Sequence, residues 1–149
     1  MRLAKTFVTT LIVSLFAICL WLAPRPAAAG NLDLELNKIA DGRQGCVATI
    51  LIGNKLGRTL NLFRLDLVLF DAKGVLFDRV LIDLAPLPHG RTTITNFPLV
   101  PGSCAGVSRI LLQDIPACRA DGQANGAPKD LDCLAGLTVR SRTNIDFGM

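Results

Sequence analysis

Between Leu60 and Leu84, apolar and polar residues alternate. Phe63, Leu65, Leu67 and Leu69 hold every second position, with Arg64 and Asp66 between them. A period of two places the four apolar side chains on one face of a β-strand. After Asp71-Ala72-Lys73-Gly74, residues Leu76, Val80, Ile82 and Leu84 share a face, interrupted by Asp78, and Phe77, Arg79, Leu81 and Asp83 point the other way. The Asp71 carboxylate can bond its own turn, and Gly74 can take the left-handed conformation that a type I turn with a bulge requires. The pattern predicts a long hairpin. Val68 and Phe70 add apolar residues to its outward face, which predicts a central hairpin partly covered on both sides.

The same periodicity extends along the chain. Leu32, Leu34 and Leu36 alternate with Asp33, Glu35 and Asn37 in a half-buried first strand, and residues 40–45 (ADGRQG) carry turn chemistry. Cys46, Ala48, Ile50 and Ile52 share a face of a second strand, closed by a turn at residues 54–58 (NKLGR). A proline-stiffened loop at 85–90 (APLPHG) leads to a Thr-rich strand at 91–97. A loop at 98–106 then leads to a sixth strand at 107–115, ended by Pro116. A polar loop follows at 119–132, with room for a helical turn at 131–136. Leu137, Val139 and Ser141 then alternate with Thr138, Arg140 and Arg142 in a last strand. About seven short strands with Gly and Pro between them predict an all-β fold, a β-sandwich, with a small barrel as the alternative.

The first residues have a different character. Arg2 and Lys5 precede the apolar run from Phe7 to Leu22, and Ala27-Ala28-Ala29 follows as a small-residue site. This predicts a secretory signal peptide over residues 1–29 and a single domain over 30–149. The competing reading is a membrane anchor. The run is short for a span, and Pro24 and Pro26 would break a helix at its exit. Ile18 stands where a lipid-attachment signal at Cys19 wants a small residue, and no Arg-Arg pair supports twin-arginine export. Arg2, Lys5 and Arg25 leave with the signal, so 13 of the 16 basic residues remain against 12 acidic ones, a net +1. No basic block remains to favour nucleic acid or an anionic membrane. Trp21 lies in the signal and Tyr is absent, so a stacking platform for bases or sugars has no residues to build it. The expected location is the periplasm or outside the cell, with no membrane span after cleavage.

Four cysteines remain after cleavage: Cys46, Cys104, Cys118 and Cys133. An even count in an exported chain reads as two disulfides. None is spaced C-x-x-C, and the close pairs of a zinc site are missing. If successive strands alternate in direction, Cys46 and Cys104 fall at one end of the sandwich and Cys118 and Cys133 at the other. A strand spans roughly 17–20 Å, whereas bridged Cα atoms lie within about 7 Å. The predicted pairs are therefore Cys46–Cys104 and Cys118–Cys133.

Residues 60–97, with VLFDAKG at 68–74 followed by LIDLAPLPHG at 81–90, resemble small bacterial immunoglobulin-like domains of exported proteins. Over nearly its full length, including DCLAGLTVRSR at 132–142, the chain is similar to small uncharacterised periplasmic proteins, some known only for a Tat signal, which this chain lacks. The resemblance implies an immunoglobulin-like sandwich and an exported location. It brings no catalytic residues.

The candidate chemistry is sparse. His89, the only histidine, lies in a Pro-Leu-Pro-His-Gly loop, where it reads first as a solvated loop residue. A hydrolase using it would need a nearby Asp that the sequence does not identify. From Asp121, residues Asp121, Asn125, Gly126 and Asp132 match positions 1, 5, 6 and 12 of a calcium loop. Gln123, Pro128 and the short Asp132 depart from that pattern, and a polar loop tied off by a disulfide is the plainer reading. Arg64/Asp66 and Asp78/Arg79 read as cross-strand pairs on a solvated face. Arg140 and Arg142 read as outward polar residues or a small anion-binding face. No catalytic, metal or cofactor site is assigned. The function expected is a non-catalytic exported module binding a protein or envelope component. The alternatives are a calcium-dependent module at the Asp121–Asp132 loop and a hydrolase using His89.

The exported protein is expected to begin at Gly30. Intact-mass measurement checks this, and a mass that includes residues 1–29 would indicate an anchored protein instead.

Overall fold

The computed structural model describes residues 32–120 and 131–149. Eight strands run through them in chain order: β1 (Leu32–Gly42), β2 (Gly45–Asn54), β3 (Leu60–Phe70), β4 (Leu76–Asp83), β5 (Thr92–Val100), β6 (Arg109–Ala120), β7 (Leu137–Ser141) and β8 (Asp146–Gly148). They form two four-stranded sheets, ordered β5-β2-β1-β7 and β4-β3-β6-β8. Neighbours pair antiparallel, except that β7 runs parallel to β1 and β8 parallel to β6.

The core is made by the alternating positions. Phe63, Leu65, Leu67 and Leu69 of β3 are fully buried, facing Leu34, Leu36, Ile50 and Ile52 from the other sheet across one apolar layer. Strand β2 alternates buried and half-buried residues throughout, as a strand with one face on the core must. The predicted turn at Asp71 is present. Its Oδ1 accepts from the Lys73 and Val75 amides at 2.8 and 2.9 Å, and Gly74 sits at φ +75°.

Several elements run longer than their sequence suggests. The residues 40–45 are mostly strand, and only Arg43 and Gln44 turn. Gly45, at φ +127°, makes the entry to β2 possible, because a Cβ there would lie 2.2 Å from the Val100 carbonyl oxygen. Pro116 does not end the sixth strand. The β3–β6 ladder shifts register between Arg64 and Asp66 and again before Leu67, and Pro116 falls in the first of these bulges, where its missing N–H costs no ladder bond. Pro98 is likewise tolerated in β5, an edge strand with a register shift beside it. The helical turn expected at 131–136 is a non-helical turn, closed by Leu137 N–H on the Leu134 carbonyl at 3.2 Å. Strand β8, three residues long, adds Phe147 to the core.

The hairpin is central on one side only. Strand β3 lies between β4 and β6, but β4 is a sheet edge. Leu76, expected on the core face, is exposed, as are Phe77 and Leu81 on the outward face. A register shift between Leu69 and Phe70 sets Leu76 opposite Phe70, on the outward face, and nothing flanks β4 on its far side to cover that face.

Both disulfides form as the end-counting argument predicts. Cys46–Cys104 has a Cα separation of 4.8 Å and Cys118–Cys133 one of 6.2 Å. Cys104 starts a short 3-10 turn (Cys104–Gly106), whose backbone is fastened to β1 by Asp41, with Oδ1 accepting from the Cys104 amide at 2.6 Å. The bridge therefore ties β2 and the end of β1 to the connection between β5 and β6. Cys118 lies inside β6, not after it, and still reaches Cys133 at the same end. Two disulfides suit an oxidising, extracytoplasmic compartment. Among the described residues no helix is long and apolar enough to cross a membrane.

Leu65→Asp buries an unpaired carboxylate at a cost of several kcal/mol, comparable with the stability of a small domain, and is expected to abolish cooperative thermal unfolding. Arg64→Ala removes only one partner of an exposed pair and is expected to leave the melting temperature nearly unchanged. Circular dichroism melts of the two variants test the face assignment.

Candidate functional site

The outward faces of the two sheets each carry a buried carboxylate. On the β1 sheet, Glu35 lies between β2 and β7, opposite Leu51 on one side and Arg140 on the other. Flanked on both sides, it is buried although it faces outward. Arg140 Nε donates to Oε2 at 2.6 Å, Arg142 Nε to the same oxygen at 3.3 Å, and Asn37 Nδ2 to Oε1 at 3.0 Å. Asn37 is the residue that the β1 bulge leaves out of the ladder. The Arg140 hydrogen bond above all, then that of Asn37, holds the Glu35 carboxyl down at about 2, against the opposing effect of burial. Arg140 and Arg142 thus converge on an internal acid, Glu35, and are neither merely outward polar residues nor an open anion-binding face.

On the β3 sheet, Asp66 is buried between β4 and β6. Arg79 reaches it diagonally from β4, with Nε donating to Oδ1 at 2.7 Å and Nη2 donating to Oδ2. This bidentate geometry is the strong form of an Arg–carboxylate contact. The Arg79 hydrogen bond lowers the Asp66 carboxyl below its usual range, against the raising effect of burial. The face around this pair was expected to be solvated, but its centre is not. The other charges also pair differently from expectation. Arg64 bonds Asp83, directly opposite, at 2.8 and 2.9 Å. Asp78 instead accepts from the backbone N–H of Arg79 at 2.8 Å.

Beside this pair, β4 offers an open edge. Leu84 N–H donates to the Phe63 carbonyl at 2.9 Å, which sets the phase of the β3–β4 ladder. Ile82 and Val80 therefore turn their backbone groups to Leu65 and Leu67, while Arg79, Leu81 and Asp83 direct theirs away from the sheet. Leu81 is 60% exposed and Phe77 44%, and Val75 and Leu76 beside them are exposed as well. On the same face Val68 is buried, Phe70 and Leu111 are half-buried, and the Arg109 guanidinium lies 5.7 Å from the Phe70 ring centroid. The result is a group of exposed apolar side chains, interrupted by Arg79, along a strand that is open on one side. The sequence places Phe77 and Leu81 on the outward face but predicts that face to be partly covered, because alternation alone does not show which strand lies outermost.

His89 is exposed near one end of the sandwich. Its backbone N–H donates to Thr59 Oγ1 at 3.3 Å, and among the described residues its imidazole makes no hydrogen bond or ion pair. The loops around it are organised by Asn54, which is fully buried. Asn54 Nδ2 donates to the carbonyls of Leu87 (2.8 Å) and Arg58 (3.0 Å), and its Oδ1 accepts from the Leu56 amide at 3.0 Å. The sequence showed Asn54 only as a turn residue, because the partners that bury it lie some thirty residues later in the chain.

The calcium-loop positions Asp121, Asn125 and Gly126 lie outside the described residues. Asp132 is described, and its Oδ1 accepts from the Ala135 amide at 3.1 Å, closing the turn before β7. Among the described residues no group of three or more His, Cys, Asp or Glu side chains is gathered as metal ligands would be.

Comparison with family models, with curated proteins and with solved structures finds no match.

The Glu35 clamp has a pH signature. A carboxyl whose folded value lies below its ordinary 4.5 adds stability above that ordinary value and loses it as pH falls toward about 2. Glu35→Gln is expected to melt several degrees below wild type at neutral pH, with the gap closing between pH 4.5 and 2. Thermal melts across that range check it.

Proposed function

We propose that the protein is an exported, non-catalytic module, an immunoglobulin-like β-sandwich, that binds a protein or envelope component through the open edge of β4. The observation that carries this reading is the combination at Leu81. A large apolar side chain stands exposed on an edge strand, beside backbone donors and acceptors directed outward. Edge strands with these properties accept an added strand from another chain, and proteins without such a use normally blunt them. The two disulfides support an exported setting. The absence of any partner on the His89 ring among the described residues favours a binding role over hydrolysis, because a general base needs an orienting group and a nucleophile within reach.

Affinity capture from an extract of the protein's own envelope, with quantitative mass spectrometry, tests the reading. Wild type is expected to enrich a component that Leu81→Lys does not. Equal enrichment by both, or enrichment of nothing by either, would overturn it.

A further inference from the structure

We infer that the strand added to the β4 edge is β4 of a second copy of this chain, antiparallel and centred on Leu81, so that two four-stranded sheets become one continuous sheet. This rests on the reading of β4 as the binding edge and names its partner.

The inference follows from the register in which β4 can meet itself. Only Arg79, Leu81 and Asp83 direct backbone groups outward from the regular part of the strand, so an antiparallel self-pairing must set these residues against one another. Pairing centred on Arg79 would place two arginines opposite each other, and like charges directly opposed are unfavourable. Pairing centred on Val80 would set Leu81 against Arg79 of the second copy, pairing centred on Ile82 would set it against Asp83, and pairing centred on Asp83 would oppose two aspartates. Pairing centred on Leu81 sets the leucine against its own symmetry mate and Arg79 against Asp83, twice over.

The backbone accommodates this register. The Arg79 N–H is already taken by the Asp78 carboxylate at 2.8 Å, so it adds no bond in any of these arrangements. The Leu81-centred pairing can use the N–H groups of Leu81 and Asp83 from each copy. It leaves the Arg79 N–H on Asp78.

The charges also match across the seam. Within one copy Arg64 bonds Asp83 and Arg79 bonds Asp66. In the Leu81-centred register, Arg64 and Asp83 of one copy stand in line with Arg79 of the other, which reaches diagonally to its own Asp66, so the charges alternate in sign. On the inner face Val80, half-buried at the rim of the core, meets Ile82 of the second copy, and the apolar layer continues across the two-fold axis. An isologous contact of this kind closes on itself and yields a dimer, not a fibre.

Sedimentation equilibrium on the oxidised protein as recovered from cells, up to about 1 mM, tests this together with thiol trapping. A reversible monomer–dimer equilibrium is expected. Leu81→Lys and Asp83→Arg, both at exposed positions, should each weaken it at least about tenfold while circular dichroism melts stay cooperative. On mild oxidation Leu81→Cys should cross-link to itself, since hydrogen-bonded opposed Cα atoms lie about 5.5 Å apart. Ile94→Cys, equally exposed on the other sheet's edge, should not. A wild type that stays monomeric throughout, a dimer indifferent to both charge variants, or equal cross-linking at positions 81 and 94 would overturn the pairing. If a monomeric wild type still captures an envelope component that Leu81→Lys loses, self-pairing falls while the binding-edge reading stands. Loss of both means that β4 is not a binding edge.

Discussion

The structure depends on β3 being flanked on both sides. Its inward residues Phe63, Leu65, Leu67 and Leu69 supply the centre of the core, and their burial fixes which face of the strand points out. The same flanking by β4 and β6 takes Asp66, on the opposite face, out of water. A buried carboxylate is tolerated only when paired and hydrogen-bonded, so Arg79 must reach across from β4 to meet it. One ion pair therefore does two things. It makes the interior of the sheet possible, and it fixes the Arg79 head group over Asp66, beside the exposed Leu81 and Phe77. Glu35 repeats the arrangement on the other sheet, where Arg140 and Arg142 take the part of Arg79.

The ends of the sandwich are closed by different means. At one end Cys46–Cys104 and the Asp41 contacts hold the β5–β6 connection to the β1–β2 hairpin. At the other, Asn54 gathers the loops that follow β2 and β4, and Cys118–Cys133 joins the end of β6 to the approach to β7. Of the four edge strands, β7 and β8 are short, and β5 is Thr-rich and carries Pro98, a residue that resists an added strand. Strand β4 has neither defence along Leu81 and Asp83, and its Arg79 donor is already capped by Asp78.

Much of this was legible in the chain. Clear alternation located β1, β2, β3 and β7, and the disulfides followed from counting strand ends, because direction reverses at each strand whatever the sheet order. Sheet order itself was not legible. Whether an outward residue is covered depends on which strands lie beside it, and neighbours such as β3 and β6 are about fifty residues apart. This is why Asp66 and Glu35 read as solvated, and why the outward face of the hairpin read as partly covered. Pro116 misled for a related reason, since a bulge that spares its missing N–H is a property of the paired strand and not of the segment containing it. Strand β8, at three residues, is too short to show a period.

Residue-resolved amide hydrogen exchange tests most directly the claim that β4 is an open edge bonded on one side only. In dilute protein the Val80 and Ile82 amides, bonded to β3, are predicted to exchange slowly, and the Leu81 amide between them quickly. Protection of Leu81 should then rise with protein concentration. A Leu81 amide as slow as its neighbours in dilute protein, or one whose exchange is unchanged by concentration, would contradict the account.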